Sequence, residues 1–313
     1  MVRLVISSDG PAAVGGWRAA FRAVAPHLQT CSWYDPAYRP GPDDYALVWH
    51  PSSADLARMG GLRGIICTGA GVNQLLGDPA FPHHVPLVRM GGAQTAALMA
   101  DYVLWAVLGL LRDARTWAIQ QDARIWRENH VSRTSAETRV GVMGMGHLGA
   151  HVAGHLRHAG FMVSGWRRST QDVPGIRVFA GREALPEFLA NVDILVNLLP
   201  STPQTRGMID HALLARLPRG AGLVNVGRGD HVVQDDLLRA LDDGMLGGAV
   251  LDVTTPEPLP PDHPLWRHER VTLTPHVASW ASQEAQARYV VEVIDQMEHN
   301  ERPALLYEPA RGY

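Results

Sequence analysis

Cysteine is scarce in this chain of 313 residues, where only Cys31 and Cys67 occur. The two lie far apart and outside any metal-type spacing. A disulfide framework is therefore not expected, and a reducing cytoplasm is the expected compartment. Cys67, within Gly64-Ile65-Ile66-Cys67, reads as a small buried strand residue. No sign of charge dominates: the formal net charge is −3 at pH 7, which gives no general reason to bind nucleic acid or an anionic membrane. Met1 runs straight into Val2-Arg3-Leu4-Val5-Ile6 without an apolar segment and small-residue cleavage site, so no signal peptide is expected. The longest apolar stretch, Ala96 to Leu111, carries Asp101 in its interior and falls short of the ~20 residues of a membrane span. There is no repeat of solenoid period and no low-complexity segment. These absences leave a soluble globular protein as the expectation.

Hydrophobic residues make up 46% of the chain, enough at this length to fill two separate cores. From the start to about Pro86, short apolar runs alternate with amphipathic ones. Leu4-Val5-Ile6 precedes a helical spacing through Trp17, Ala20, Phe21 and Val24. Ala46-Leu47-Val48-Trp49 precedes one near Leu56, and Ile65-Ile66 precedes Gly69-Ala70-Gly71-Val72-Asn73. This alternation predicts an α/β layer with a parallel sheet. Loops beyond the C-terminal ends of such strands bind ligands, and the glycines after Ile66 leave N–H groups open to a small anion. An ordinary strand-to-helix turn is the competing reading. Ala93 to Leu108 then reads as a helix apolar on nearly every face, which predicts burial on nearly every face. It is placed to join the first domain to the second. Part of its surface, extended by Trp117, Ile119, Ile125 and Trp126, is a candidate subunit contact.

The second half is organised around Val140-Gly141-Val142-Met143-Gly144-Met145-Gly146-His147-Leu148-Gly149. An apolar run ends at Met143, a Gly-x-Gly-x-x-Gly pattern follows at Gly144, Gly146 and Gly149, and helical spacing continues through Val152, Leu156 and Ala159. A strand, a tight turn and a helix start are what a dinucleotide pyrophosphate needs. The first Gly makes the turn, the second lets backbone approach the phosphates, and the third packs helix on sheet. Phe161 to Trp166 reads as the next strand, and Arg167-Arg168-Ser169 stands at its end, where an NAD-selective site has an Asp or Glu. Two guanidiniums and a hydroxyl suit a 2′-phosphate instead. NADP(H) is the expected cofactor, with NAD(H) as the alternative and solvated arginines as the bland reading.

Further strand and helix pairs begin at Asp193, Gly222, Ala249 and Val271, and a last helix is predicted from about Gln283 to Asn300. The expected fold is α/β, with two Rossmann-like doubly wound parallel-sheet domains. A dinucleotide-binding domain, 94–280, is inserted into a substrate (lid) domain of 1–93 plus 281–313. Three polar residues stand at or beyond strand ends: Arg228 in Asn225-Val226-Gly227-Arg228-Gly229, Glu257 after Leu251-Asp252-Val253, and His276 in Thr274-Pro275-His276-Val277-Ala278. A guanidinium can grip the carboxylate and carbonyl of a 2-oxo acid. An imidazole can give a proton to the carbonyl oxygen as hydride reaches the carbon, and a carboxylate can orient the ring and favour its charged form toward neutral pH. His147, His151, His155 and His158 form a stripe near i, i+4 spacing, but no cysteine or carboxylate completes a ligand set, so no metal is expected.

These signatures resemble the D-isomer-specific 2-hydroxyacid dehydrogenases, with Asn-x-x-Arg-Gly, Leu-Asp-Val-x-x-x-Glu-Pro and Thr-Pro-His-x-Ala all present. Within that family the likeness is greatest to the glyoxylate/hydroxypyruvate reductases, through Val48-Trp49-His50-Pro51, Gly69-Ala70-Gly71-Val72, Trp166-Arg167-Arg168-Ser169, Asn197-Leu198-Leu199-Pro200, Pro264-Leu265-Trp266-Arg267-His268 and Ala310-Arg311-Gly312-Tyr313. The resemblance implies that Arg228 is the substrate arginine, Glu257 the partner of the histidine and His276 the acid/base. It implies that the N–H groups of Ala70, Gly71 and Val72 receive the substrate carboxylate and that Trp49 shapes a pocket for a short side chain. Gly144, Gly146, His147, Leu148 and Gly149 would meet the pyrophosphate, and Trp166, Arg167, Arg168 and Ser169 the ribose phosphate. Leu199 and Pro200 would cover the adenosine, Val226 and Gly227 would complete the cofactor wall, and Asp252 would lie by the nicotinamide amide. A homodimer acting on a small 2-oxo acid is implied. Thr254 and Thr255, Met90-Gly91-Gly92 and Trp280 depart from the family pattern and leave pocket size open. The alternatives are the same chemistry on a larger 2-oxo acid and a nucleotide-sensing corepressor of the same fold.

Overall fold

A computed structural model of the chain describes residues 2–128, 131, 133–170 and 172–309, so the terminal Ala310-Arg311-Gly312-Tyr313 stretch lies outside the described residues. The chain divides into two compact units, Met1–Thr95 with Ala281–Tyr313, and Ala96–Trp280. In the first, β1 (Arg3–Ile6), β2 (Gln29–Ser32), β3 (Asp44–Val48), β4 (Gly64–Cys67) and β5 (Leu87–Val88) form a sheet in the order β2-β1-β3-β4-β5. Every pairing is parallel.

Successive side chains of β1 point to opposite faces of the sheet. Leu4 and Ile6 pack with Trp17 and Phe21 of the helix Val14–Val24 and with Val290 and Ile294 of the C-terminal helix Gln283–Glu298. Val5 faces Trp33, Leu56 and Ile65 on the other side. With both faces covered, an inner strand of a parallel sheet has no polar face, which is why β1, β3 and β4 read as continuous apolar runs. Strand order reverses between β1 and β3, so the loops leaving these strands flank the switch point where ligands bind in such sheets. Cys31 and Cys67 form no disulfide.

The second unit holds β6 (Arg139–Met143), β7 (Met162–Arg167), β8 (Arg177–Ala180), β9 (Ile194–Asn197), β10 (Ala221–Asn225), β11 (Leu246–Leu251) and β12 (Val271–Leu273). Their order is β12-β11-β10-β9-β6-β7-β8, again all parallel. Leu195, Leu223 and Leu251 point into one core, and Val196, Val224 and Val250 into the other. The order turns back between β6 and β9, which puts the glycine turn after β6 at the switch point of this sheet.

One expectation is corrected. The helix Ala93–Arg112 buries Met99, Ala100, Val103, Ala106 and Val107 in a core of the second unit. Its opposite side is not buried: Trp105 is 49% and Leu108 39% exposed. Spacing explains it, since 99, 103 and 106 share one face while 101, 105 and 108 share the opposite one. The helix has 20 residues and, by length and composition alone, is apolar enough to cross a membrane. What marks it as a core helix is therefore its packed face, not its length.

Candidate active site

The turn after β6 is built as the glycine pattern predicts. Gly144 has φ +99°, and a Cβ there would lie 2.6 Å from the Leu198 carbonyl oxygen, so both conformation and space require glycine. A Cβ on Gly149 would lie 1.9 Å from the Gly144 oxygen, which shows how closely the helix His147–His158 approaches the turn. Gly146 differs: apart from its chain neighbours and its own helix, no described atom lies within 4 Å of its ideal Cβ, and no described side chain caps the helix that it starts. Protein packing does not account for that glycine. A backbone kept bare at the positive end of a helix is what an incoming pyrophosphate requires, so these residues fit a dinucleotide. At the end of β7, Arg167 is half-buried and Arg168 and Ser169 are exposed. Trp166 is not: it is buried among Phe179, Phe188 and Leu189, and its indole N–H donates to the Gly181 oxygen at 2.8 Å. Its side chain supports the strand end from behind.

Arg228, Glu257 and His276 come together in the second unit. His276 Nδ1 lies 2.9 Å from Glu257 Oε2, and the Thr254 N–H donates to Glu257 Oε1 at 2.9 Å. The turn after Arg228 sits directly on Thr254, because a Cβ on Gly229 would lie 1.9 Å from the Thr254 oxygen. Burial pushes the Glu257 carboxyl up, but the hydrogen bonds from His276 and Thr254 and the charges of His276 and Arg228 outweigh it and hold it below the usual glutamate range. An ionised carboxylate only accepts, so Nδ1 is the donor and Nε2 is the ring nitrogen left to exchange a proton. His276 has φ +55°, a left-handed conformation uncommon for a side-chain-bearing residue.

Asp252 holds that conformation. Its backbone oxygen accepts from the His276 N–H at 2.9 Å. Its Oδ1 accepts from Thr274 Oγ1 at 2.6 Å and the Val277 N–H at 2.9 Å, and its Oδ2 from the Ala278 N–H at 2.9 Å. Thr274 thus uses its only hydroxyl hydrogen on Asp252, so the Tyr102 hydroxyl, 2.6 Å away, is the donor to Thr274. Asp252 is 3% exposed. The place expected for it was beside a nicotinamide amide, but its three side-chain bonds go to the histidine segment, an anchoring role that the motif alone does not reveal.

A second network was also invisible in the sequence. Asn197 and Asn225, at the ends of β9 and β10, and His231 are each 0% exposed. Asn197 Nδ2 donates to Asn225 Oδ1 and approaches His231 Nδ1, both at 2.8 Å. Of the residues expected along the cofactor, Leu199 and Val226 are buried, Pro200 is half-buried, and the Gly227 N–H donates to Asn225 Oδ1 at 3.2 Å.

In the first unit, Trp49 lies against the turn after β4, since a Cβ on Gly69 would fall 1.9 Å from its ring. The N–H groups of Ala70, Gly71 and Val72 have no hydrogen-bond partner among the described residues. Three consecutive bare N–H groups form a concavity suited to an anion.

Residues 104–278, which span the glycine turn, Arg228, Glu257 and His276, match the family model for the D-isomer specific 2-hydroxyacid dehydrogenase NAD binding domain. The chain belongs to that family. As a 2-hydroxyacid dehydrogenase it is an NAD(P)-dependent oxidoreductase. Solved structures similar to it include a D-isomer specific 2-hydroxyacid dehydrogenase from Xanthobacter autotrophicus Py2 in complex with NADPH and MES, 39% identical, covering 100% of this chain and 99% of that one, with TM-score 0.92. An NADPH-dependent glyoxylate/hydroxypyruvate reductase from Sinorhizobium meliloti, in complex with NADP and sulfate, is 33% identical over 100% of both chains, with TM-score 0.90. A probable 2-hydroxyacid dehydrogenase from Rhizobium etli CFN 42, in complex with NADP, HEPES and L(+)-tartaric acid, is 33% identical over 100% of this chain and 99% of that one, with TM-score 0.89.

Proposed function

We propose that this 2-hydroxyacid dehydrogenase reduces short 2-oxo acids with NADPH, glyoxylate to glycolate and hydroxypyruvate to D-glycerate. The observation that carries the proposal is the 2.9 Å contact between His276 Nδ1 and an ionised Glu257, in the same unit as the glycine turn. Bound nicotinamide supplies the hydride. His276 gives the Nε2 proton to the carbonyl oxygen, and Arg228 grips the carboxylate and offsets the negative charge that grows on that oxygen in the transition state. Glu257 keeps the ring oriented by accepting from Nδ1. The turn of Ala70, Gly71 and Val72 is assigned to the substrate carboxylate and Trp49 to the pocket for its short side chain. Residues 94–280 then serve as the dinucleotide domain, and 1–93 plus 281–313 as the substrate domain.

NADPH is preferred because Arg167 and Arg168 stand where a carboxylate would repel the 2′-phosphate, and the Xanthobacter, Sinorhizobium and Rhizobium relatives carry NADPH or NADP. We also assign the homodimer contact to the exposed side of the helix Ala93–Arg112. Trp105 and Leu108 are exposed there, and in the segment that follows Trp117 is 39%, Ile125 47% and Trp126 97% exposed; exposed apolar residues in such number mark an association surface. The deciding experiment is a steady-state panel of glyoxylate, hydroxypyruvate, pyruvate and phenylpyruvate with NADPH and with NADH. The highest kcat/KM is expected for the two short acids with NADPH. A preference for phenylpyruvate would overturn the substrate assignment, and no NADPH oxidation with any 2-oxo acid would overturn the enzyme.

A further inference from the structure

We infer that His231 is a positioning residue for Arg228: its neutral ring, protonated on Nε2, holds the backbone from which the substrate-gripping guanidinium projects. The inference rests on the role proposed above for Arg228. His231 Nδ1 faces two groups that only donate. One is Asn197 Nδ2 at 2.8 Å, and the other is the Arg228 N–H at 3.3 Å. The Asn197 amide is oriented by its oxygen, which accepts the Leu199 N–H at 3.2 Å, so its nitrogen must point at the ring. Nδ1 therefore carries no hydrogen, and the ring's single proton sits on Nε2.

The rest of the network grips the same residue from the other side. Asn225 Nδ2 donates to the Arg228 oxygen at 3.0 Å, and Asn225 Oδ1 is held by Asn197. The peptide groups on both sides of the Arg228 Cα are thus fixed by side chains that are themselves fully buried. There is little room for change, because a Cβ on the preceding Gly227 would lie 2.9 Å from Asn197 Nδ2 and 3.0 Å from His231 Nδ1.

The groups facing the ring support the neutral form. Burial, the largest effect, and the nearby Arg228 charge disfavour a second ring proton, against the opposing effects of the Asp230 carboxylate and the Pro200 carbonyl. Nε2 lies 3.9 Å from Asp230 Oδ1, a buried oxygen with no hydrogen-bond partner among the described residues. Asp230 Oδ2 accepts from Ser201 Oγ at 2.7 Å and pairs with Arg206 Nε at 3.3 Å. The His231 turn is thereby tied to the segment that includes Leu199 and Pro200, the residues expected over the adenosine.

A ring that only fills space and a ring that acts through Nδ1 respond differently to two polar replacements. His231→Asn keeps an acceptor oxygen at the Nδ1 position, whereas His231→Gln moves it one bond outward. His231→Gln is expected to raise the KM for glyoxylate about tenfold, equivalent to about 1.4 kcal/mol, with the Kd for NADPH within about twofold of wild type. His231→Asn is expected to stay within about threefold of wild type in both. Equal KM values for the two variants, whether both normal or both raised, would overturn the inference. His231→Leu gives the same comparison with His231→Asn if the Gln variant does not fold. Arg228→Ala separates the two levels. If it leaves KM and kcat intact, the reading of Arg228 fails. If it impairs them while His231→Gln is normal, only the positioning role fails.

Discussion

Acidification should destabilise this protein through His231 from near neutral pH downward. An ordinary histidine titrates near ~6.5, and in the fold burial lowers His231 to about 4. Between those values the unfolded chain takes up a proton that the folded chain refuses. The unfolded state therefore binds more protons, and stability falls as pH falls. The contribution is fully present above 6.5 and is lost as the pH drops toward about 4. At 1.36 kcal/mol per pH unit the whole effect is roughly 3 kcal/mol, of which roughly 2 kcal/mol is already lost by pH 5. The side chain is 0% exposed, so solvent screening does not reduce it. Carboxylates act lower. Burial raises the Asp193 carboxyl, but hydrogen bonds from Arg139 and Arg133 win and bring it to about 2, so its contribution disappears only as the pH falls from 3.8 toward 2. Urea unfolding of wild type and His231→Asn at pH 7.5, 6 and 5 isolates the ring. The wild-type curve should fall more than the variant's by roughly 2 kcal/mol across that range. Parallel curves would refute the buried neutral histidine.

Four further outcomes follow from the site. His276→Ala should lose on the order of 10²-fold or more in turnover, the scale of a general acid; near-normal kcat at pH 7 would remove its role. Arg228→Ala should raise KM and lower kcat together, because the contact is made with substrate and strengthens in the transition state; unchanged kinetics would refute it. Replacing Arg167 by Asp and Arg168 by Ala should shift preference from NADPH toward NADH, measured as the ratio of kcat/KM values, and an unchanged ratio would mean that these arginines do not read the 2′-phosphate. Gly149→Ala places a Cβ 1.9 Å from the Gly144 oxygen, an overpacking that should cost roughly 1–3 kcal/mol and weaken NADPH binding; wild-type stability and affinity would show that the turn can give way.

The central strands were legible because burial on both faces demands an apolar residue at every position. Leu4-Val5-Ile6 and Ile194-Leu195-Val196 satisfy it, and they form the inner strands β1 and β9. The strands that left no signal, Gln29–Ser32, Leu87–Val88 and Arg177–Ala180, are all at sheet edges. An edge strand has a neighbour on one side only, and Gln-Thr-Cys-Ser can pair there without an apolar pattern. The helix Ala93–Arg112 misled for a related reason. Periodicity reports that a face is apolar, whereas what covers it is settled by the surroundings, and Trp105 stays 49% exposed.

The site divides along the same line. Arg228, Glu257 and His276 could be read together as candidates because a parallel sheet sends the C-terminal ends of its strands to one edge, so polar residues just past apolar runs converge there. Their supports could not be found that way. Asp252, Asn197 and His231 are buried polar residues whose partners are backbone N–H groups, which have no identity in the sequence, and side chains distant along the chain, as where Asn197 meets Asn225 and His231. The energetics indicate why such support is needed. His276 and Glu257 have side chains 41% and 38% exposed, and an ion pair that open contributes about 0–1 kcal/mol. A left-handed backbone at a residue such as His276 costs of order 1–3 kcal/mol. The pair cannot hold that conformation by itself, so the four hydrogen bonds accepted by Asp252 must. Folding stability alone gives no reason to keep a strained, half-exposed histidine beside a carboxylate, whereas the proton transfer proposed for His276 does.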